Sequence, residues 1–299
     1  MKRIIKLSLI LLLAKAGAAQ QLPTSSFYDL HPIMHNPATA GAKKHAEIGG
    51  MFRTQWSGID GGPQTALLFG NTLLASGRVG IGGYLYNDVT GPTKRIGLQM
   101  AYAYHIPMAN GGTFSLGIEG RVQQWSFDRS KLQESLGSND PAIMGDDKKI
   151  KGDAGFGISY NDPKFQIGAS VSQLIQTKLN FYIGTGPKNE EAMLYRHFFF
   201  HGYYDFDIDG QVHIIPNILV IAVPHSPTEV QAGARLDYNK SFWFGLGYHV
   251  NQSFMASAGV HLWKNFNLGY AFDVYKTPLS IYDKGANAHE ITLRYEFIK

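Results

Sequence analysis

From about residue 45 onward the chain alternates. In NFNLGYAFDVY, Phe266, Leu268, Tyr270, Phe272 and Val274 interleave with Asn265, Asn267, Gly269, Ala271 and Asp273. An extended strand sends these two sets to opposite faces, one apolar and one polar or tiny. HEITLRYEFI repeats the pattern, with Ile291, Leu293, Tyr295 and Phe297 against Glu290, Thr292, Arg294 and Glu296. KRIGLQMAYAYHI does so with Ile96, Leu98, Met100, Tyr102 and Tyr104 against Arg95, Gly97, Gln99, Ala101 and Ala103. The alternation predicts about fourteen strands, near 45–55, 63–74, 78–88, 94–106, 113–126, 151–161, 164–172, 192–208, 211–223, 227–238, 241–250, 253–263, 265–276 and 287–298. Most approach the ~9–11 residues that a tilted strand needs to cross a bilayer.

The connections carry a second regularity. With the N-terminus on the periplasmic side, the inward connections are 75–77, the segment around 107–112, 161–163, 209–210, 239–240 and 264–265, all short and rich in turn formers. The three longest connections, 127–150, 174–191 and 276–286, all fall on the opposite parity. Short periplasmic turns and longer extracellular loops are the habit of outer-membrane barrels. The expected fold is therefore all-β: a transmembrane antiparallel β-barrel spanning 45–299. A soluble sandwich or propeller also alternates, but neither accounts for the loop parity or for the density of aromatic residues on the apolar face.

The first nineteen residues, MKRIIKLSLILLLAKAGAA, read as a secretory signal: Lys2, Arg3 and Lys6, then the short apolar run Leu7 to Leu13, then the small residues Gly17 to Ala19. That run is too short to span a bilayer as a helix. Cleavage after Ala19 leaves Gln20 first and no cysteine to receive a lipid. Removing Lys2, Arg3, Lys6 and Lys15 takes the 27 basic residues to 23, equal to the 23 acidic ones, so net charge gives no argument for nucleic acid. The absence of cysteine rules out a disulfide scaffold. Residues 20–44, which do not alternate, are expected at the periplasmic mouth or inside the lumen as a small plug.

With the apolar face toward lipid, Glu47, Arg53, Arg95, Glu119, Arg121, Glu229, Arg235, Asp237, Asp273, Glu290, Arg294 and Glu296 point inward. Both signs occur in similar number, whereas an ion-selective pore favours one sign at its constriction. The mixture suits a lumen filled by ion pairs and hydrogen bonds, and the many inward Gly and Ala leave space for a narrow passage or an inserted segment.

Candidate chemistry is thin. His197 and His201 have the i, i+4 spacing of a zinc helix but lie on a predicted strand, where ~13 Å would separate them. Asp205, Asp207, Asp209 and Gly210 open like a calcium loop, yet position twelve is Pro216 rather than Glu; an Asp-Gly hairpin explains them more simply. Asp140, Asp146 and Asp147 could meet a cation at the cell surface, but a solvated charged loop is the simpler account. No nucleophile elbow, P-loop or complete dinucleotide fingerprint is present, so the chain is expected to be non-enzymatic, without cofactor or metal.

The run FYDLHPIMHNPATAG, then FRTQWSGIDGGPQT, then alternating strands to HEITLRYEFIK, resembles the PorP/SprF family of type IX secretion system membrane proteins. Asn36, Pro37, Ala38 and Gly41, with Arg53, Gln55, Trp56, Gly58 and Pro63, carry the resemblance. It implies an outer-membrane barrel that works with the type IX machinery in export or surface attachment of particular secreted proteins, some of them gliding adhesins, by recognising their C-terminal sorting domains. The Asn-Pro-Ala triplet is also similar to the start of FadL-like transporters, which keeps uptake of a small or hydrophobic solute as the alternative. Partners implied are secretion machinery, secreted protein and outer-membrane lipid.

Overall fold

The computed structural model describes residues 22–131, 148–179, 192–276 and 287–298. The predicted signal, the acidic positions Asp140, Asp146 and Asp147, and most of the three longest loops lie outside them. Fourteen long strands form one antiparallel sheet: β1 (Ala46–Thr54), β2 (Gln64–Leu73), β3 (Val79–Thr90), β4 (Thr93–Pro107), β5 (Thr113–Phe127), β6 (Lys148–Asn161), β7 (Phe165–Ser172), β8 (His197–Tyr204), β9 (Val212–Ala222), β10 (Glu229–Tyr238), β11 (Phe242–His249), β12 (Ser253–Leu262), β13 (Phe266–Tyr275) and β14 (Asn287–Phe297). Each pairs with the next, and β1 pairs with β14 from Ala46↔Phe297 to Thr54↔His289. That last ladder closes the barrel and leaves no sheet edge between the first and last strands.

Alternation decides which face is which. On β4 the outward Ile96, Leu98, Met100, Tyr102 and Tyr104 are exposed while Arg95, Gln99, Ala101 and Ala103 are buried. Leu246 is 71 % exposed and Leu68 62 %; a contiguous apolar surface of this kind is stable only against lipid. At the end bearing the short turns, outward rings touch in series: Tyr160 to Phe165 (5.6 Å), Phe165 to Tyr204 (6.2 Å) and Tyr204 to Phe206 (4.4 Å). Farther round, Trp263, Phe266, Tyr295 and Phe297 continue the belt. Aromatic rings favour the membrane interface, so this belt marks the periplasmic boundary of the apolar band. No helix among the described residues is long and apolar enough to cross a membrane.

Three details depart from the sequence reading. The predicted strand 192–208 is shorter, because Ala192–Met193 pairs with Lys178–Leu179 in a separate two-stranded ribbon. β8 proper begins at His197, and Phe206–Asp207 resumes its pairing with β9 past Asp205. β1 ends at Thr54, one residue short of the expected 55, and Trp56, with a φ of +55°, lies in the following loop. Gly58 to Pro63 turn the chain there: Gln55 N–H donates to Pro63 at 2.8 Å, and Gly91 N–H donates to Gly61 at 2.8 Å, which ties the first outer loop to the β3–β4 turn.

Candidate functional site

The lumen is occupied. Residues 22–44 run from the outer half of the barrel interior down to the periplasmic mouth and are buried along most of their length. Leu22 and Tyr28 pack on Phe199, Leu219 and Ile221. Phe27 and Leu30 pack on Trp243, Met255 and Ala271, Met34 on Met51, Leu67, Phe69, Tyr84 and Tyr86, and Ile33 and Ala40 on Ala101 and Ala103. These wall residues face inward, so the lumen holds an apolar core as well as ion pairs. The inward ion pairs expected from sequence therefore share the lumen with an inserted segment, which displaces water and brings its own hydrophobic residues.

The Asn-Pro-Ala segment fits this role atom by atom. Asn36 caps a short 3-10 turn, Pro37–Thr39, by accepting the Ala38 N–H at 2.9 Å, and Pro37 supplies the fixed φ that a first turn position favours. The Asn36 amide also donates to the Ile158 carbonyl at 2.9 Å and lies 2.9 Å from His201 Nε2. Ala38 is fully buried against β5, where a side chain at Gly117 would meet the Ala38 Cα at 2.5 Å. Gly41 turns the chain with a φ of +71° and has no room for a Cβ, which would lie 2.8 Å from the Thr72 carbonyl oxygen. At Ala38 against Gly117 and at Gly41, segment and wall approach too closely for a larger side chain.

Arg53 ties the segment to the barrel. Its guanidinium lies 2.6 Å from Asp273 and 2.9 Å from Glu290, with all three side chains almost wholly buried. Glu290 accepts the Ser26 N–H at 2.8 Å and the Ser25 hydroxyl, and Ser26 Oγ lies 3.0 Å from Asp273. Gln55 donates to Tyr275 Oη at 2.9 Å.

The other inward residues form separate groups. Arg95 pairs with Asp88 at 2.5 Å and lies 4.9 Å from the Trp125 ring. Arg121 donates to Glu119 at 3.0 Å, and Glu119 also accepts from Gln99 and Ser172. Arg235 holds Asp29 of the inserted segment at 3.1 Å. Arg294 pairs with Glu296 at 3.0 Å and donates to the Leu30 carbonyl at 3.2 Å. Of the inward charges singled out from sequence, the structure brings together Arg53 with Asp273 and Glu290, Glu119 with Arg121, Arg235 with Asp237, and Arg294 with Glu47 and Glu296, as separate groups on different sectors of the wall.

Sequence reasoning missed Ser25, Ser26 and Asp29 as partners of that wall. The available signal was a cluster of apolar residues, Phe27 to Met34, without strand periodicity ahead of a barrel.

Metal chemistry finds little support. His45, Glu47 and Glu296 bring ligand atoms within 4.8 Å of one another, but Lys43 sits 3.0 Å from Glu47 and Arg294 3.0 Å from Glu296, already supplying the positive charge. His197 and His201 are buried inward on one strand, and His201 serves Asn36. Asp207 and Asp209 cap backbone N–H groups of their own hairpin, and the bonds from Val212 and Gln211 hold the Asp209 carboxyl below its ordinary value. Burial, then the neighbouring His201, holds His35 well below the ordinary imidazole value; burial, then Arg294 and Lys43, does the same to His31. Both imidazoles of the inserted segment are neutral at pH 7.

Solved barrels share the architecture. The Acinetobacter baumannii outer membrane protein Omp33 aligns with a TM-score of 0.52 at 7 % identity, covering 85 % of this chain and 98 % of its own. A Pseudomonas aeruginosa FadL homologue aligns at 0.51 and 10 % identity, covering 88 % and 93 %. The CymD monoaromatic hydrocarbon channel aligns at 0.50 and 11 %, covering 90 % and 93 %. At such identities the likeness is one of fold. No curated protein matches the chain. The family model described as type IX secretion system membrane protein PorP/SprF matches residues 16–295, almost the whole chain, including the Asn36 turn and the Arg53 network. This outer-membrane barrel belongs to the PorP/SprF family of type IX secretion system membrane proteins.

Proposed function

We propose that the protein is a docking and anchoring barrel, which recognises the C-terminal sorting domains of particular secreted proteins through its outer loops and passes no cargo through its own lumen. The observation that carries this reading is the filled interior. Residues 22–44 make four apolar contacts clusters with the wall and are latched by the buried Arg53 network. A barrel closed in this way offers a rigid scaffold, and binding specificity then resides in the loops it carries. The strand ends that flank the three longest connections lie on the outer side, where a secreted partner is met. The periplasmic mouth, with a cavity of about 430 Å³ bordered by Lys43, Lys44, His105 and Asp162, faces the rest of the secretion apparatus.

The test is paired. In a deletion strain, one or a few large secreted proteins should fail to reach or stay on the surface, and photo-crosslinkers in the outer loops should capture their C-terminal domains. Normal surface display without the protein would overturn the reading. Stable, solute-dependent conductance of the purified barrel in a planar bilayer would favour the uptake alternative instead.

A further inference from the structure

On β4, β5 and β6 the two rims of the lipid-facing surface are built from different chemistry. The periplasmic rim is the aromatic belt; on β4, β5 and β6 the outer rim is cationic. Register places Lys94 of β4 opposite Ser126 of β5, and Ser126 opposite Lys148 of β6. All three share the outward parity of the exposed Ile96, Val122 and Ile150, so two lysines flank one serine in a single row above the apolar band. Adjacent strands lie ~4.8 Å apart, which separates the two lysine Cα atoms by ~10 Å. Both lysines are exposed, and neither has an ion-pair partner among the described residues. The same row continues to Val89 of β3 and Gln64 of β2 with no carboxylate in it. Asp128 stands one row farther out, where its carboxylate accepts the Lys131 N–H.

The height of the row identifies its surroundings. Lys94 lies twelve residues along β4 from Ile106, which sits level with Phe114 and the aromatic belt residue Tyr160. At ~3.4 Å per residue and a tilt of ~40°, that is ~30 Å along the membrane normal, against an apolar band ~25 Å tall. The ammonium groups therefore lie in the outer headgroup layer. Beneath them, Ile96, Leu98, Val122 and Ile150 present an acyl-chain surface, each 38 % exposed or more. Across the barrel Lys276, following the outer end of β13, occupies the corresponding level, its ammonium 3.1 Å from Tyr248 Oη. It is already engaged there, whereas Lys94 and Lys148 are not.

We propose that the Lys94–Ser126–Lys148 row is a headgroup site for a phosphorylated glycolipid of the outer leaflet, with two ammonium groups straddling phosphate and the acyl chains lying on Ile96, Leu98 and Val122. The site fixes one lipid to the β4–β6 wall, directly below the hairpin ends that lead into the longest outer loop.

Native mass spectrometry of the full mature chain, loaded with diphosphoryl lipid A or with phosphatidylcholine, tests this. Wild type should retain diphosphoryl lipid A in preference to phosphatidylcholine, and the double variant Lys94→Gln/Lys148→Gln should bind it about thirty-fold more weakly, the equivalent of about 1 kcal/mol for each lysine at a lipid surface. Lys164→Gln, in a periplasmic turn, should bind as wild type does, and an unchanged heat-modifiable gel shift in all variants would show that the barrel has folded. Equal retention by wild type and double variant would overturn the proposal, as would indifference of wild type to the phosphates. Full competition by millimolar inorganic phosphate would also overturn it, because the acyl-chain surface would then contribute nothing.

Discussion

Arg53 of the first strand and Glu290 of the last meet at 2.9 Å across the seam that closes the barrel, and the same carboxylate accepts the Ser26 N–H of the inserted segment at 2.8 Å. One buried contact thus joins barrel closure to plug attachment. Arg53→Met would leave Asp273 and Glu290 facing each other without a cation. Breaking a buried pair by removing one partner costs about 3–5 kcal/mol. Urea unfolding of the refolded barrel in vesicles should show a loss of that size, with a smaller loss for Glu290→Gln, which keeps Arg53 paired with Asp273. An Arg53→Met midpoint equal to wild type would mean the network is dispensable.

The Asn36 side chain accepts the Ala38 N–H, donates to the Ile158 carbonyl and meets His201 Nε2, each at 2.9 Å, with a longer bond of 3.5 Å to the Ala169 carbonyl. Asn36→Ala leaves buried groups on both the segment and the wall without partners, at roughly 1–3 kcal/mol. Asn36→Asp keeps the cap but loses the donor to Ile158, so it should rescue only part. Stability that follows the order wild type, Asn36→Asp, Asn36→Ala would assign both jobs; identical losses would leave the cap without a measurable share.

How far the sequence could reach follows from which of these contacts are local. Alternation is a property of neighbouring residues, so Ile96 to Tyr104 and Phe266 to Val274 declare their faces without knowledge of any partner. The Arg53 network is different: the bonds from Arg53 to Asp273 and Glu290 and from Ser25 to Glu290 join residues 220 to 265 apart, and only the register of β14 against β1 and β13 makes them neighbours. Inward residues such as Leu67, Phe69 and Phe199 break the polar-inside rule because they face the inserted segment rather than water. The predicted strand 192–208 ran long for a related reason. Leu194 is apolar and buried, as in a strand, but it lies between the outer ribbon and β8.

Protonation should loosen the inserted segment. The folded values of His31 and His35 are depressed by burial, so a withdrawn segment takes up protons first as the pH falls. The stability they contribute is present above the ordinary imidazole value of ~6.5 and is lost as the pH drops below it. Hydrogen exchange over residues 22–44, corrected for intrinsic rates, should show weaker protection at pH 5.5 than at pH 7.5. His35 packs beside Phe199 and His201, so His35→Phe fits the site and should flatten the dependence, leaving the part due to His31. A pH response unchanged in His35→Phe would place the sensitivity elsewhere.

Two glycines on β5 separate the two faces of the wall by sterics alone. A side chain at Gly117 would strike the Pro37 and Ala38 backbone, whereas one at Gly120 meets nothing within 4 Å. Gly117→Val adds no charge and removes no hydrogen bond, so its whole effect must pass through the inserted segment. If that segment closes the lumen, the variant has two outcomes available. Either the segment stays, and overpacking lowers stability by about 1–3 kcal/mol, or it is pushed out, and the barrel conducts ions in a planar bilayer. Gly120→Ala on the lipid face should change stability by no more than ~0.5 kcal/mol and leave conductance at the wild-type level. A Gly117→Val barrel with wild-type stability and no conductance would contradict the packing of Ala38 against β5, because no third way of accommodating the added methyl groups exists while both backbones keep their places.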